Sequence, residues 1–311
     1  MAVIAKDRTP DREHAGARRK AMAQIKRLPL HATLIGLIIL WSIPTVALIV
    51  SSLRPPAEIS SSGWWTAIKT PFDWTWDNYD AVLSQRGMGR AFVNSIIITV
   101  PATLLVIFVS ALAAYAFAWM SFPGRNVLLL VMVGLLVVPV QMTLIPVLRL
   151  YVHLNIDADM PILGGRVFGT NSYSGIWLAH AAYGLSFGIY LLRNFFGGLP
   201  RDLVEAALLD GASDLDVFFR IILPLSMPAI AALAIFQFLW TWNDLLVALV
   251  FLGDPNLAPM TLRITNLVSS FGGSYQLLTA AAFVSMALPL LIFFALQRYF
   301  VQGILSGAVK G

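Results

Sequence analysis

The sequence predicts an all-α integral membrane protein with six transmembrane helices. Three observations carry that prediction. Of the 311 residues, 58% are hydrophobic and 12% are charged, whereas soluble domains carry about 25% charged residues. Mean hydropathy is +0.78. Finally, the charges leave six charge-free stretches, each long enough for the ~20 residues that cross ~30 Å of hydrocarbon. The absence of cysteine excludes a disulfide scaffold, an iron–sulfur protein and a thiol catalyst. Four histidines leave little room for a zinc enzyme, so no metal site is expected.

In chain order, residues 1–30 form a basic tail with Lys6, Arg8, Arg12, Arg18, Arg19, Lys20, Lys26 and Arg27. The following apolar run is longer than the core of a signal peptide, about 7–15 residues, and no small-residue cleavage site follows it. It therefore reads as an uncleaved first span. The charge-free stretches place helices at 31–51, 92–118, 126–150, 174–196, 228–252 and 279–300, within a membrane domain covering 31–300. A short C-terminal tail, 301–311, follows. The positive-inside rule puts the basic tail in the cytoplasm. Six spans then put the C-terminus there too, in a multi-pass protein of the cell (inner) membrane in contact with lipid. Predicted inner segments hold 14 of the 21 basic residues, with the excess mostly in the tail. Topology accounts for that charge, so no nucleic-acid partner is expected. Trp64, Trp65, Trp74 and Trp76 in the first outer loop suit an aromatic interfacial layer or a short helix lying on the membrane.

The loop 197–227 is longer than a helix hairpin needs. Pro200 can open a helix, and Asp202 and Glu205 suit its positive end. Gly211 can end it with positive φ. Ser213 or Asp214 can cap a second short helix through Arg220, closed by Pro224. The spacing Glu205-Ala206-Ala207, three residues, Gly211, nine residues, Ile221, one residue, Leu223-Pro224 resembles the EAA signature of ABC importer permeases. The resemblance implies the type I importer permease fold, with this loop as a cytoplasmic coupling helix. Its ATPase-coupling residues would be Glu205, Ala206, Ala207, Asp210, Gly211, Ile221, Leu223 and Pro224.

Other fragments are similar to the carbohydrate-uptake branch, the maltose-type second permease subunit. They include Asn78-Tyr79, Asn94-Ser95, Ser121-Phe122-Pro123-Gly124, Trp242-Asn243-Asp244 and the ending from Ser306 to Gly311. That likeness implies a second permease subunit, an ATP-binding subunit dimer, an extracytoplasmic solute-binding protein and a sugar substrate. The chain has no G-x-x-x-x-G-K-[ST] loop to cradle phosphates. No cofactor is expected on this chain, and ATP and Mg would belong to the partner ATPase. It is expected not to be an enzyme.

Gly184-Leu185-Ser186-Phe187-Gly188 matches a hydrolase pattern, and His180 lies one turn before Gly184. That motif needs a strand–turn–helix elbow, which a continuous apolar span does not supply. The glycines, four apart, suit close helix packing instead. No catalytic residue is assigned.

Asp244 is the acidic residue inside a predicted span. Gln237, Trp240 and Asp244 fall at i, i+3 and i+7, on one face of a continuous helix. A carboxylate beside indoles suits a sugar, with hydroxyls bonded at its edge and apolar ring faces stacked on Trp. An interhelical hydrogen bond that only holds the bundle together is an equal alternative. Gln141, Tyr183 and Asn243 complete the candidate substrate path. Prolines 139, 146 and 289 can bend spans or expose carbonyls. The rival from another class is an ion- or proton-coupled secondary transporter working alone through Asp244.

Overall fold

The computed structural model describes residues 10–68, 74–153, 169–270 and 274–308. The outermost ends of the two tails, 1–9 and 309–311, lie outside these. All regular elements among the described residues are helical. Helix α1 (Pro10–Ser52) joins part of the basic tail to the first span without a break. Short helices α2 (Pro56–Ser61) and α3 (Asp77–Asp80) follow, then α4 (Met88–Trp119), α5 (Arg125–Leu135), α6 (Val140–His153) and α7 (Tyr173–Phe196). The polar loop supplies α8 (Arg201–Leu209), α9 (Asp214–Val217) and α10 (Leu223–Leu225). The chain ends with α11 (Met227–Asn243), α12 (Leu246–Phe251), α13 (Met260–Ser270) and α14 (Tyr275–Ala308). Among the described residues, four helices are long and apolar enough to cross a membrane, and two bent pairs raise the number to six if each pair counts as one span.

Apolar side chains gain little by leaving lipid for one another, so close backbone approach must hold the bundle together. Among the described residues the pairing of α4 with α7 is the most extensive, and α11 packs on α4, α7 and α14. Small residues make this possible. A Cβ on Gly188 would strike Ser110 Oγ of α4, and one on Gly184 would strike the Gln237 carboxamide of α11. The apolar part of α1 buries no residue; Ile38, Leu40 and Trp41 stand exposed, and α1 packs mainly on α14.

Two expected spans are not continuous rods. The third, expected over 126–150, bends by 107° between α5 and α6. Pro139 sits at the bend, where its ring excludes the preceding residue from helical geometry. Pro146 and Pro289, by contrast, lie inside unbroken helices. The fifth span, expected over 228–252, ends at Asn243 and resumes at Leu246. Asp244 has extended backbone, φ −68° and ψ 133°, so it does not continue the helical face of Gln237 and Trp240.

The side chain of Asp244 explains why that break is tolerated. Its Oδ2 accepts from Val247 N at 3.0 Å and Ala248 N at 3.3 Å, capping α12. Thr261 Oγ1 donates to its carbonyl at 2.7 Å. Without such partners, freed backbone groups at membrane depth are costly. A further polar clamp orders the loop after α12. Asn94 Nδ2 donates to Asn256 O at 2.7 Å and to Ala258 O at 3.1 Å, while Tyr173 Oη donates to Asn94 Oδ1.

The first loop is also held from within. Arg54, 2% exposed, pairs with Glu58 and donates to Gly63 O and Ser62 Oγ. Asn78 Nδ2 donates to Ser52 O and Arg54 O, both at 2.9 Å. Trp65, Trp74 and Trp76 remain exposed, as an interfacial layer requires.

The cap yields a stability prediction. Asp244→Ala should destabilise the protein by about 1–2 kcal/mol, the usual range for a lost helix cap. Asp244→Asn retains an acceptor oxygen and should lose less. Thermal unfolding in detergent, followed by retention of the soluble monodisperse peak, measures both. Equal stability of Asp244→Ala and wild type would show that the cap carries no weight.

Candidate functional site

A cavity of about 300 Å³ opens where α6, α7, α11 and α12 meet. Helix α6 contributes Val140 and Gln141, and α7 contributes His180, Tyr183 and Gly184. Gln237 and Trp240 come from α11, Asp244 from the break, and Leu246 and Val247 from α12. Five of the six residues proposed for the substrate path therefore converge from distant parts of the chain. Asn243 is the exception: it is exposed, does not line the cavity, and donates to Leu239 O at 2.8 Å. Its neighbour Trp242 is buried and donates from Nε1 to Ser285 O.

The lining mixes apolar wall with polar atoms whose hydrogen bonding is incomplete. Gln237 is 3% exposed; its Nε2 donates to Thr241 Oγ1 at 3.1 Å, while its Oε1 has no partner. Tyr183 Oη is buried and also unpartnered. Such groups are uncommon in native interiors, where most buried polar atoms are satisfied. His180 Nε2 lies 3.9 Å from Asp244 Oδ2, beyond hydrogen-bond range. His180 was weighed in the sequence only beside the Gly-Leu-Ser-Phe-Gly pattern. Its spacing to Tyr183, i and i+3 on one helix face, is the signal by which the sequence could have placed it here.

The hydrolase arrangement does not form. Residues 184–188 lie within the uninterrupted helix α7, and Ser186 is buried. Both glycines serve close helix contact, as their four-residue spacing predicts.

At one end of the bundle, the loop forms the two helices read from its residues. Pro200 precedes α8, and Gly211 turns the chain with φ +85°. Ser213 and Asp216 form a reciprocal capping box at the start of α9. The hydroxyl and backbone N–H of Ser213, together with Arg220, hold the Asp216 carboxyl below the usual carboxylate range. The second helix differs from expectation. It runs through a π-helical turn at Phe218–Ile222 and past Pro224 to Leu225 before bending by 75° into α11.

This segment is fastened firmly to the bundle. Val204, Val217, Phe218 and Ile222 share one buried cluster with Ala111, Ala114 and Tyr115 of α4, Leu192 and Phe196 of α7, and Ala229 and Leu233 of α11. Tyr115 Oη donates to Asp214 Oδ1 at 3.2 Å. The opposite surface is bare. Glu205 and Ala206 are exposed, Leu209 is 89% exposed, and Leu215 and Phe219 project beside them. A shallow recess there is lined by Asp210, Gly211, Ala212, Asp216, Arg220 and Ile221.

Comparison with known proteins accounts for this architecture. Residues 91–306 match the family described as binding-protein-dependent transport system inner membrane component. The osmoprotective compounds uptake permease protein GgtD of Synechocystis sp. is 53% identical, over 92% of this chain and 93% of that protein. The alpha-glucoside transport system permease protein AglG of Rhizobium meliloti is 41% identical, over 92% of this chain and 99% of that one. A solved chain from a bacterial ABC transporter involved in the import of the acidic polysaccharide alginate shares the fold. Its TM-score is 0.61 at 17% identity, with 94% of this chain and 100% of that chain covered. A transporter working alone through Asp244 does not fit these matches. The chain belongs to the family of inner-membrane components of binding-protein-dependent transport systems.

Proposed function

We propose that this chain is one of two permease subunits in an ATP-driven importer for a sugar or oligosaccharide, contributing half of the pore. The solute would arrive on an extracytoplasmic binding protein, and a dimer of ATP-binding subunits would bind ATP and Mg. Relatives named for alpha-glucoside and arabinooligosaccharide transport support a saccharide. The observation that carries the coupling role is the 201–225 segment. One of its faces is packed into the ends of α4, α7 and α11, and the other is exposed, apolar and acidic. That exposed face suits a groove on the ATPase. Glu205 and Asp210 add charge for basic partners, and exposed Ala206 allows close approach, whereas Ala207 packs on the buried cluster.

In this mechanism, closure of the ATPase dimer on ATP displaces the segment around Glu205 and Gly211. The buried cluster passes that displacement to α11, which carries Gln237 and Trp240 into the cavity wall. The cavity, first open to the cytoplasm, turns outward to receive sugar. Both termini and the 201–225 segment are assigned to the cytoplasmic side. The Trp-bearing loop is assigned to the opposite side.

Three outcomes test this. Gly211→Val forces a β-branched residue into left-handed backbone, at about 1–2 kcal/mol, with no neighbouring atom for the new Cβ to strike. It should misalign α8 and α9, while Glu205→Lys should replace attraction by repulsion. Both should lose ATPase co-purification or stimulation of ATP turnover by the loaded binding protein; wild-type values in both would reject the coupling role. Trp240→Ala should reduce sugar uptake by about tenfold, roughly the loss of one stacking contact, while the assembled complex survives. Unchanged uptake would remove Trp240 from the sugar path. A cytoplasm-only reporter fused after Gly311 should be active and one at Gly63 silent; activity at Gly63 would invert or break the topology.

A further inference from the structure

We infer that the cavity between α6, α7, α11 and α12 is a binding subsite for a single uncharged, polyhydroxylated ring. His180 is a direct contact there, and Gly184 holds the space open. The inference rests on the permease reading above and deepens it, because it assigns a solute-contacting site to this subunit and a charge class to the solute.

The polar lining calls for hydroxyl groups. Gln237 and Tyr183 line the cavity, the first with a buried Oε1 that has no donor and packs toward Gly184, the second with a buried, unpartnered Oη. His180 Nε2 and Asp244 Oδ2 stand 3.9 Å apart, too far to bond each other. One oxygen at ~2.8 Å from each would bridge them, accepting from the imidazole and donating to the carboxylate. A sugar hydroxyl does both at once, because it is donor and acceptor together. The exposed ring of Trp240, with Val140 and Leu246, gives an apolar wall for the C–H faces of the same ring.

Charge narrows the class. Among the described residues, no Lys or Arg lines the cavity. An anionic sugar would lose its hydration there with no cation to replace it, beside a carboxylate. A uronic acid is therefore disfavoured, and a neutral ring is not. Size narrows it further. About 300 Å³ is at the lower end of the volumes of small-molecule pockets. Gly184 bears on this space, because a Cβ there would collide with all three terminal atoms of Gln237, another lining residue, and displace its carboxamide.

The cysteine-free sequence allows a direct test. Val140→Cys places one thiol in the lining of the intact transporter, assembled in nanodiscs with its partner subunits. The rate of maleimide labelling is read with sucrose, trehalose, maltose or glucuronate present. At least one neutral disaccharide should slow labelling by about tenfold, as an occupied pocket requires, and glucuronate should not. His180→Ala should abolish protection without changing the labelling rate in the absence of sugar, and His180→Gln should retain part of it. Gly184→Ala should also abolish protection, and adding Gln237→Ala should restore it by removing the collision. Lack of protection by every saccharide, equal protection by glucuronate, or full protection in His180→Ala would overturn the subsite. ATP turnover with the binding protein, measured in the same nanodiscs, separates the two readings. Turnover without protection rejects the subsite alone, and absence of turnover rejects the permease reading.

Discussion

The break at Asp244 is the feature on which the arrangement depends. It lets α11 contribute Gln237 and Trp240, and α12 contribute Leu246 and Val247, to the lining of one cavity. In hydrocarbon a chain break leaves backbone groups that water cannot satisfy. Here one carboxylate oxygen takes two N–H groups of α12, and Thr261 meets the carbonyl that the break exposes. The same carboxylate is part of the cavity lining. Capping and cavity chemistry are thus joined in one residue, and the structural and binding alternatives for Asp244 are not exclusive.

The second break, the 75° bend before Met227, defines the other end of the same helix. Between the breaks α11 is a rod of 17 residues, about 25 Å at 1.5 Å per residue. Its first turns, through Ala229 and Leu233, lie in the cluster that holds α8 and α9. Its last turns present Gln237 and Trp240 to the cavity. Packed interiors deform little, so movement of the loop is more easily passed along this rod than absorbed at its base. The close α4–α7 pairing gives the rod a stiff surface to move against.

Much of this was legible in the sequence wherever the determinant is local. Charge-free length marks the spans, and the 201–225 helices follow from Pro200, the left-handed turn at Gly211 and the cap at Ser213. The breaks were less legible. Hydropathy averages composition over a window and is blind to a capping carboxylate, so residues 228–252 read as one span. Pro139 was visible as a helix breaker, but the 107° bend depends on how α6 then packs against α12. The convergence of Gln141, Tyr183, Gln237, Trp240 and Asp244 was anticipated, though the assumed single helical face was not the reason for it. His180 was missed because it was read beside Ser186 instead of along its own helix to Tyr183. Arg54 falls in the first outer loop, where a charge is expected to meet water, yet it lies buried there among its partners.

The central claim is that residues 201–243 move as one body between the ATPase-facing segment and the cavity. Spin labels introduced into the cysteine-free chain at Leu209, Leu239 and Met142 allow two distances to be compared in the assembled transporter by double electron–electron resonance. One state has the transporter alone; the other adds ATP and the loaded binding protein. The account predicts that the 209–239 distance stays fixed while the 239–142 distance, from α11 across to α6, shifts. A change in 209–239 with 239–142 unmoved would contradict it, because the loop would then move without carrying the helix.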